Sequence, residues 1–466
     1  MPLFKGYLLS DPIETLPTAF SPTAFERYLY WEIQPEHPNQ ITAVFDFEGA
    51  FDPQSLTAAL AVIRRRHPML TAKLVVRDGA PAYWTPGDDQ RLPLNLINCK
   101  SGFSLDELPQ LPAVNPAGDY TSCLTARYSS DRCQWILQTH HAATDGVGGL
   151  QVLRELLQLY AAEVSGSELE LRLLPTDRLL QRERFVRSWS WKHWWKMPVS
   201  GLALFGASKF LFRSILALPD QTLHGPAERE VETAASQDSQ SLEHQLSHSQ
   251  TRRLRQLSRQ AGVTVNSLIL AYWMVALDQW NNREGTLSDV DWYRLVIPTN
   301  QRQGRDIALS ACNRVSMVYV DRQRHELEIP ERLMHGIHYE MGVMRRLELT
   351  GTFLLAMKVM SRIPGLLKKH AQERRCWATS YVTNLGAALN RLGLPLEEDG
   401  RSRVGEMTLN RIRLLPPLRP GTPLALAVNQ YAGRLSFTLH YRPGAITGKD
   451  ARSILNYFLH RLKTLS

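Results

Sequence analysis

Hydrophobic and polar positions alternate with a short period at the start of the chain and then switch to a helical one. Residues 41–47 are rich in β-branched and aromatic side chains and predict a strand. Asp52-Pro53 opens a helix, with Asp as N-cap, whose apolar stripe is Leu56, Leu60 and Ile63. That helix should stop near His67-Pro68, because a residue before proline avoids helical geometry. Residues 70–76 and 81–85 flank Asp78-Gly79 and predict two strands about a turn. A second pair, 124–128 and 133–139, is joined by Ser-Ser-Asp-Arg. A helix follows over 147–163, with Leu150, Leu153, Leu156, Leu157 and Tyr160 on one face. Residues 219–241 are polar and patternless and read as a crossover. Beyond them come an amphipathic helix over 249–260 ended by Gly262, a buried helix over 266–280, and strands over 293–297 and 314–320. A hairpin of 424–428 and 435–441 about Ala432-Gly433, then a helix over 448–465, close the chain. Both halves mix strands and helices, which predicts an α/β fold without a short-period repeat.

Length divides this pattern. A chain of 466 residues exceeds one ordinary core, so we expect an N-terminal lobe over 1–218, a crossover over 219–241 and a C-terminal lobe over 242–466. The five cysteines, at 99, 123, 133, 312 and 376, have no CxxC spacing. That argues against a disulfide framework or a cysteine zinc site and fits a reducing cytoplasm. No sustained apolar core precedes Asp11, so no signal peptide is expected. The apolar run 268–277 is ten residues long and suits a buried helix, not a membrane span.

Charge adds one feature. The net charge is +9, and residues 181–219 hold seven bases, Arg182 among them, against one acid, together with Trp189, Trp191, Trp194 and Trp195. A second basic segment, 353–377, carries Lys358, Arg362, Lys368, Lys369, Arg374 and Arg375 against Glu373. Three readings stand: contact with a membrane surface through 182–218, docking of an acidic carrier protein, or lobe-packing helices with a solvated basic rim. No nucleic-acid motif accompanies the charge, so no nucleic-acid partner is expected.

The candidate chemistry lies in His140-His141-Ala142-Ala143-Thr144-Asp145-Gly146. Alternation along 133–140 puts His140 and His141 on opposite sides, one to face a cavity and one to brace the loop. Asp145 stands at the expected cap of the next helix, and Gly146 lets the chain turn beside it. A neutral imidazole near unpaired helix N–H groups is what acyl transfer needs: a base for the attacking O–H or N–H and a donor for the oxyanion. A metal is not expected, since adjacent histidines on a strand point apart and no third ligand stands nearby. No GxSxG motif supports a serine nucleophile, and Gly146-Val-Gly-Gly is neither GxGxxG nor a P-loop.

The heptad matches the HHxxxDG motif of the condensation-domain and acyltransferase superfamily. That group takes in nonribosomal peptide synthetase condensation domains, polyketide-associated and wax-ester-type acyltransferases, and chloramphenicol acetyltransferase. Residues 58–70, ending Arg66-His67-Pro68-Met69-Leu70, resemble the family's helix end. Residues 262–271, Pro298-Thr-Asn300-Gln-Arg302, Asn313-Arg-Val-Ser and Thr383-Asn384-Leu385-Gly386 resemble second-lobe elements in order. The last resembles the alcohol-using branch.

The resemblance implies two chloramphenicol-acetyltransferase-like lobes in a V, with the active site in the tunnel between them. It implies His141 as general base and His140, Asp145 and Gly146 as shaping residues, with Asp145 paired to an arginine. It further implies Asn300, Thr383, Asn384 and Gly386 as substrate-side residues. Where many condensation domains have Leu-Arg-Thr, this chain has Leu70-Thr71-Ala72, so Lys73 and Arg66 are the candidate partners of Asp145. The DFGWG element of plant relatives is not evident. The expected function is acyl transfer from a thioester, coenzyme A or a phosphopantetheinyl carrier protein, to an alcohol or amine, ester ahead of amide. No bound cofactor is needed. The competing expectations are a non-catalytic member of the fold that binds a carrier or membrane, and intramolecular cyclisation at the same site.

Overall fold

The computed structural model describes residues 17–464 apart from 36, 78–79, 184–214, 217, 219–238, 284–286, 290 and 374–375. The strands are β1 (Gln40–Gly49), β2 (Lys73–Val75), β3 (Tyr83–Thr85), β4 (Leu94–Asn98), β5 (Ser122–Tyr128), β6 (Arg132–His140) and β7 (Gln240–Gln245). They continue with β8 (Trp292–Asn300), β9 (Val315–Gln323), β10 (Ser380–Gly386), β11 (Ser402–Val404), β12 (Met407–Leu415), β13 (Leu424–Tyr431) and β14 (Arg434–Tyr441). The helices are α1 (Ala24–Trp31), α2 (Pro53–Arg66), α3 (Gly146–Ser165), α4 (Thr176–Leu180) and α5 (His248–Gln260). They continue with α6 (Val265–Asn281), α7 (Pro330–Arg346), α8 (Thr352–Met360), α9 (Leu366–Gln372) and α10 (Gly448–Thr464).

Two six-stranded sheets carry the fold, ordered β11-β12-β1-β6-β5-β4 and β7-β14-β13-β10-β8-β9. In the first, β1 lies between β6 and β12, antiparallel to both. Helices α2 and α3 cover one face, where Leu56, Leu60 and Ile63 meet Phe45, Phe47, Trp135, Leu156 and Tyr160. The α2 cap forms as the sequence predicts: the Asp52 carboxylate accepts from the N–H groups of Gln54 and Ser55. In the second sheet β10 runs parallel to both β8 and β13. One face packs against α6 and α10, and the other against α1, α8 and α9. Residues 268–277 lie buried in α6. Among the described residues no single helix is long and apolar enough to cross a membrane.

The two halves exchange structure. Strands β11 and β12 come from the second half of the chain yet complete the first sheet. Asn429 of β13 donates to the Ile412 carbonyl at 3.0 Å, and the Tyr431 hydroxyl to that of Leu409 at 2.8 Å, tying this excursion back to the second sheet. A lobe boundary at 219–241 does not anticipate this exchange.

Candidate active site

Strand β6 aims the motif. Leu137 and Thr139 face one side of the first sheet, and the extended path carries the same side on to His141; all three line one cavity. Ile41 of β1 and Leu150 of α3 share that wall. The second half supplies the facing wall, with Met317 of β9, Tyr381, Thr383 and Leu385 of β10, and Arg419. The lining is thus largely aliphatic, with a few polar groups set into it, the usual make-up of a small-molecule site.

His141 is buried at 7% exposure. Its Nδ1 lies 3.2 Å from the Thr144 carbonyl, which can only accept, and 3.3 Å from Asn313 Nδ2; because Asn313 spends its shorter bond on the His141 carbonyl, the proton is assigned to Nδ1. Nε2 makes no hydrogen bond to a described residue and keeps its lone pair. Burial pulls the imidazole below its ordinary pKa, against the opposing effects of its backbone bonds and of Asp145, so it is neutral near pH 7. Two asparagines fix its backbone: Asn313 donates to the His141 carbonyl at 2.7 Å, and the Asn39 carbonyl accepts its N–H at 2.9 Å. Asn39 adopts φ +52°, a left-handed conformation asparagine tolerates. Its amide reaches Glu32 at 3.1 Å, and Glu32 in turn takes the Arg419 Nε at 2.7 Å, so a buried ion pair in the cavity wall braces the histidine backbone.

His140 turns the other way. Its Nδ1 accepts the Ala142 N–H at 3.1 Å and shapes the loop. Burial lowers its pKa to about 3.

Asp145 caps α3, with Oδ1 accepting from Gly148 N–H at 2.8 Å. One of the helix N–H groups expected near the histidine, that of Gly148, is therefore taken by the aspartate's own carboxylate. Oδ2 accepts from Arg314 N–H at 2.6 Å, and Arg302 Nη1 contacts both oxygens, at 3.0 and 2.8 Å. Neither Lys73 nor Arg66 is the partner, which corrects the sequence expectation. Lys73 is exposed, and Arg66 is engaged with Glu155 at 2.8 Å. The cation comes from the second half of the chain instead. The Arg302 charge and these hydrogen bonds hold the Asp145 carboxyl below its usual range in spite of burial. Arg302 Nη2 also donates to the Cys312 carbonyl at 2.7 Å. Gly148 is required for this approach: a Cβ there would stand 2.2 Å from Thr144 Oγ1 and 3.3 Å from Arg302 Nη2.

Of the second-half residues read from the sequence, Thr383 lines the cavity, as does Gly146 from the motif. Asn300, Asn384 and Gly386 do not line it. Asn300 Oδ1 accepts the Arg302 N–H at 3.0 Å and so orients that arginine. Asn384 bonds Asn266 of α6 at 2.8 Å and the Gly386 N–H at 2.8 Å, because strand alternation turns it away from Thr383 and Leu385. Arg302, Asn313, Asn39 and Arg419 had no role assigned from the sequence. The first two lie in segments whose family resemblance was visible. The other two carried no signal.

The basic stretch read as membrane contact lies mostly outside the described residues, and its described ends are packed inward. Arg182 is buried against Glu26 at 2.7 Å, and Leu218 belongs to the core under the second sheet.

A two-sheet α/β fold with a buried histidine in a cavity shared by both halves matches the chloramphenicol-acetyltransferase-like fold. The condensation-domain family model matches residues 31–288, and the chain belongs to that family, whose general chemistry is acyl transfer by condensation. No curated protein matches the sequence. Among solved structures it is similar to the epimerization domain from the third module of tyrocidine synthetase B, at TM-score 0.68 and 13% identity, over 98% of this chain and 97% of that one. It is also similar to the condensation domain of the Monacolin K polyketide synthase, at TM-score 0.65 and 14% identity, over 97% and 98%. A third similar structure is a mutant starter condensation domain of rhizomide synthetase in complex with C8-CoA, at TM-score 0.65 and 15% identity, over 96% and 95%.

Proposed function

We propose that this chain transfers an acyl group from a thioester, of coenzyme A or a carrier protein, to a hydroxyl or amine, with His141 as the general base. The observation that carries the reading is the state of His141: a buried, neutral ring whose Nδ1–H is spoken for and whose Nε2 has no partner among the described residues, at a cavity. Nε2 takes the proton of the attacking O–H or N–H as the oxygen or nitrogen bonds to the thioester carbon. The tetrahedral adduct then collapses, the C–S bond breaks, and the imidazolium returns its proton to the leaving sulfur. Base catalysis of this kind is worth roughly 10²- to 10⁴-fold. Asp145 takes no part in proton transfer; Arg302 and two N–H groups occupy it, and its role is to hold the loop. The aliphatic lining supports an acyl chain or acceptor with a hydrocarbon body. The Thr383 hydroxyl in the facing wall, in a segment resembling the alcohol-using branch, supports ester ahead of amide.

Intact-mass measurement of product from acyl-CoA and acylated carrier protein, with a panel of alcohols and amines, tests this. Wild type should form an adduct, and His141→Ala should lose about 10²-fold or more in kcat with its melting temperature unchanged. If both proteins are equally active, His141 is not the base. If the chain instead only inverts a stereocentre on a carrier-bound substrate, it is an epimerase on the same fold.

A further inference from the structure

The turn between α8 and α9 presents a surface the acyl-transfer reading does not use. Val359 and Ile363 stand out of it at 50% and 52% exposure, and Lys358, Arg362, Lys368 and Lys369 surround them, all exposed. Two acids are close by: Glu183 lies 3.8 Å from Lys358, and Glu373 lies 3.6 Å from His370. Arg362, Lys368 and Lys369 have no acidic partner among the described residues. Half-exposed aliphatic side chains beside exposed cations, three of them without an acidic partner among the described residues, match an interface that inserts a little apolar surface among anionic headgroups.

An acidic protein partner would account for the cations. It would leave the outward-standing aliphatic pair without a groove or pocket to meet.

We propose that the α8–α9 turn docks on an anionic phospholipid surface, with Val359 and Ile363 entering the headgroup boundary and Arg362, Lys368 and Lys369 pairing with phosphates. This does not rest on the chemistry assigned to His141, and its readout needs no turnover. The test is co-sedimentation of the full chain with vesicles of phosphatidylcholine alone and with about one-third phosphatidylglycerol. Wild type should partition at least about tenfold better into the anionic vesicles, and less so as salt rises. Arg362→Gln/Lys368→Gln/Lys369→Gln should weaken partitioning by about a hundredfold, at about fivefold per cation, and Val359→Ser/Ile363→Ser by about tenfold or more. All five positions are exposed, so both variants should melt with wild type. The proposal fails if wild type ignores anionic vesicles, or if both variants bind them as wild type does. It also fails if vesicles are ignored while an acidic carrier protein is bound through the same cations.

Discussion

At the scale of single residues, the two adjacent histidines do different work because the strand sends them to opposite sides. His141 lines the cavity with an Nε2 that bonds no described residue; His140 spends its Nδ1 on the Ala142 N–H. The pH dependence of turnover should follow the first. A general base must be neutral, and burial places the His141 pKa below the ordinary value near 6.5. The rate kcat/KM should therefore be flat from about pH 6.5 upward, until another group titrates, and fall only as pH drops through the lowered pKa. A pH–rate profile checks this; an acid limb centred above about 6.5 would assign the base elsewhere. Replacing Asn313 by Ala removes the 2.7 Å bond to the His141 carbonyl without touching Nε2. We expect a loss of about tenfold in kcat with a smaller change in KM, read from steady-state kinetics, since it loosens only the positioning of the base.

At the scale of elements, the first turn of α3 is the device that matters. Asp145 caps the helix and at the same time receives Arg302 and the Arg314 N–H from the second half, so one carboxylate joins the motif loop to the facing wall. The pair is nearly dry: the two side chains are 2% and 10% exposed. Removing one partner leaves the other charge buried, at a cost of about 3–5 kcal/mol, whereas removing both should cost much less than the sum. Asp145→Asn, Arg302→Met and the double variant, compared by urea unfolding, give that coupling directly. Additive losses would mean the contact is not formed. Gly148→Ala should also destabilise the turn, because Thr144 Oγ1 stands where the new methyl must go. Most of this element was legible in the sequence: the β6–α3 order, the capping aspartate and the opposed histidines all follow from period and cap rules. The partner was not legible. Local reading looked for the arginine near Leu70-Thr71-Ala72, and periodicity has no means of pairing residues 145 and 302. The exchanged strands β11 and β12 were missed for the same reason: β12 is recognised only by pairing with β1 across more than half the chain, and β11 joins the sheet through β12. Asn384 was placed at the substrate because its segment was read as a motif, whereas strand parity turns it towards α6.

At the scale of the whole molecule, three buried histidines in and around the cavity are held neutral by the fold. His140, His141 and His440 are all buried, and burial lowers each, His140 to about 3 and His440 to about 4. His440 belongs to the second sheet, and its Nδ1 lies 2.7 Å from the Pro416 carbonyl, on the segment that rims the cavity. The sign is fixed by linkage. The unfolded chain protonates these rings near pH 6.5, whereas the native state does not, so unfolding takes up protons below that pH. Their contribution is fully present above about pH 6.5 and is lost as pH falls. Near about pH 5 the slope from His140 and His440 together approaches ~2.5 kcal/mol per pH unit, and His141 adds to it in the same direction. The lowered Asp145 carboxyl adds a loss of its own only below the ordinary aspartate range near 3.9. Acid should therefore act on this protein in two stages, the first set by histidines and the second by carboxylates. Urea melts at pH 8, about 6 and about 4.5 separate them; over that interval the histidine loss is opposed in part by Glu243, whose carboxyl burial raises to about 7. His440→Gln should flatten the fall in that interval while leaving the carboxylate stage in place. A midpoint that does not move between pH 8 and about 4.5 would mean that these rings, His141 among them, are not held neutral by burial.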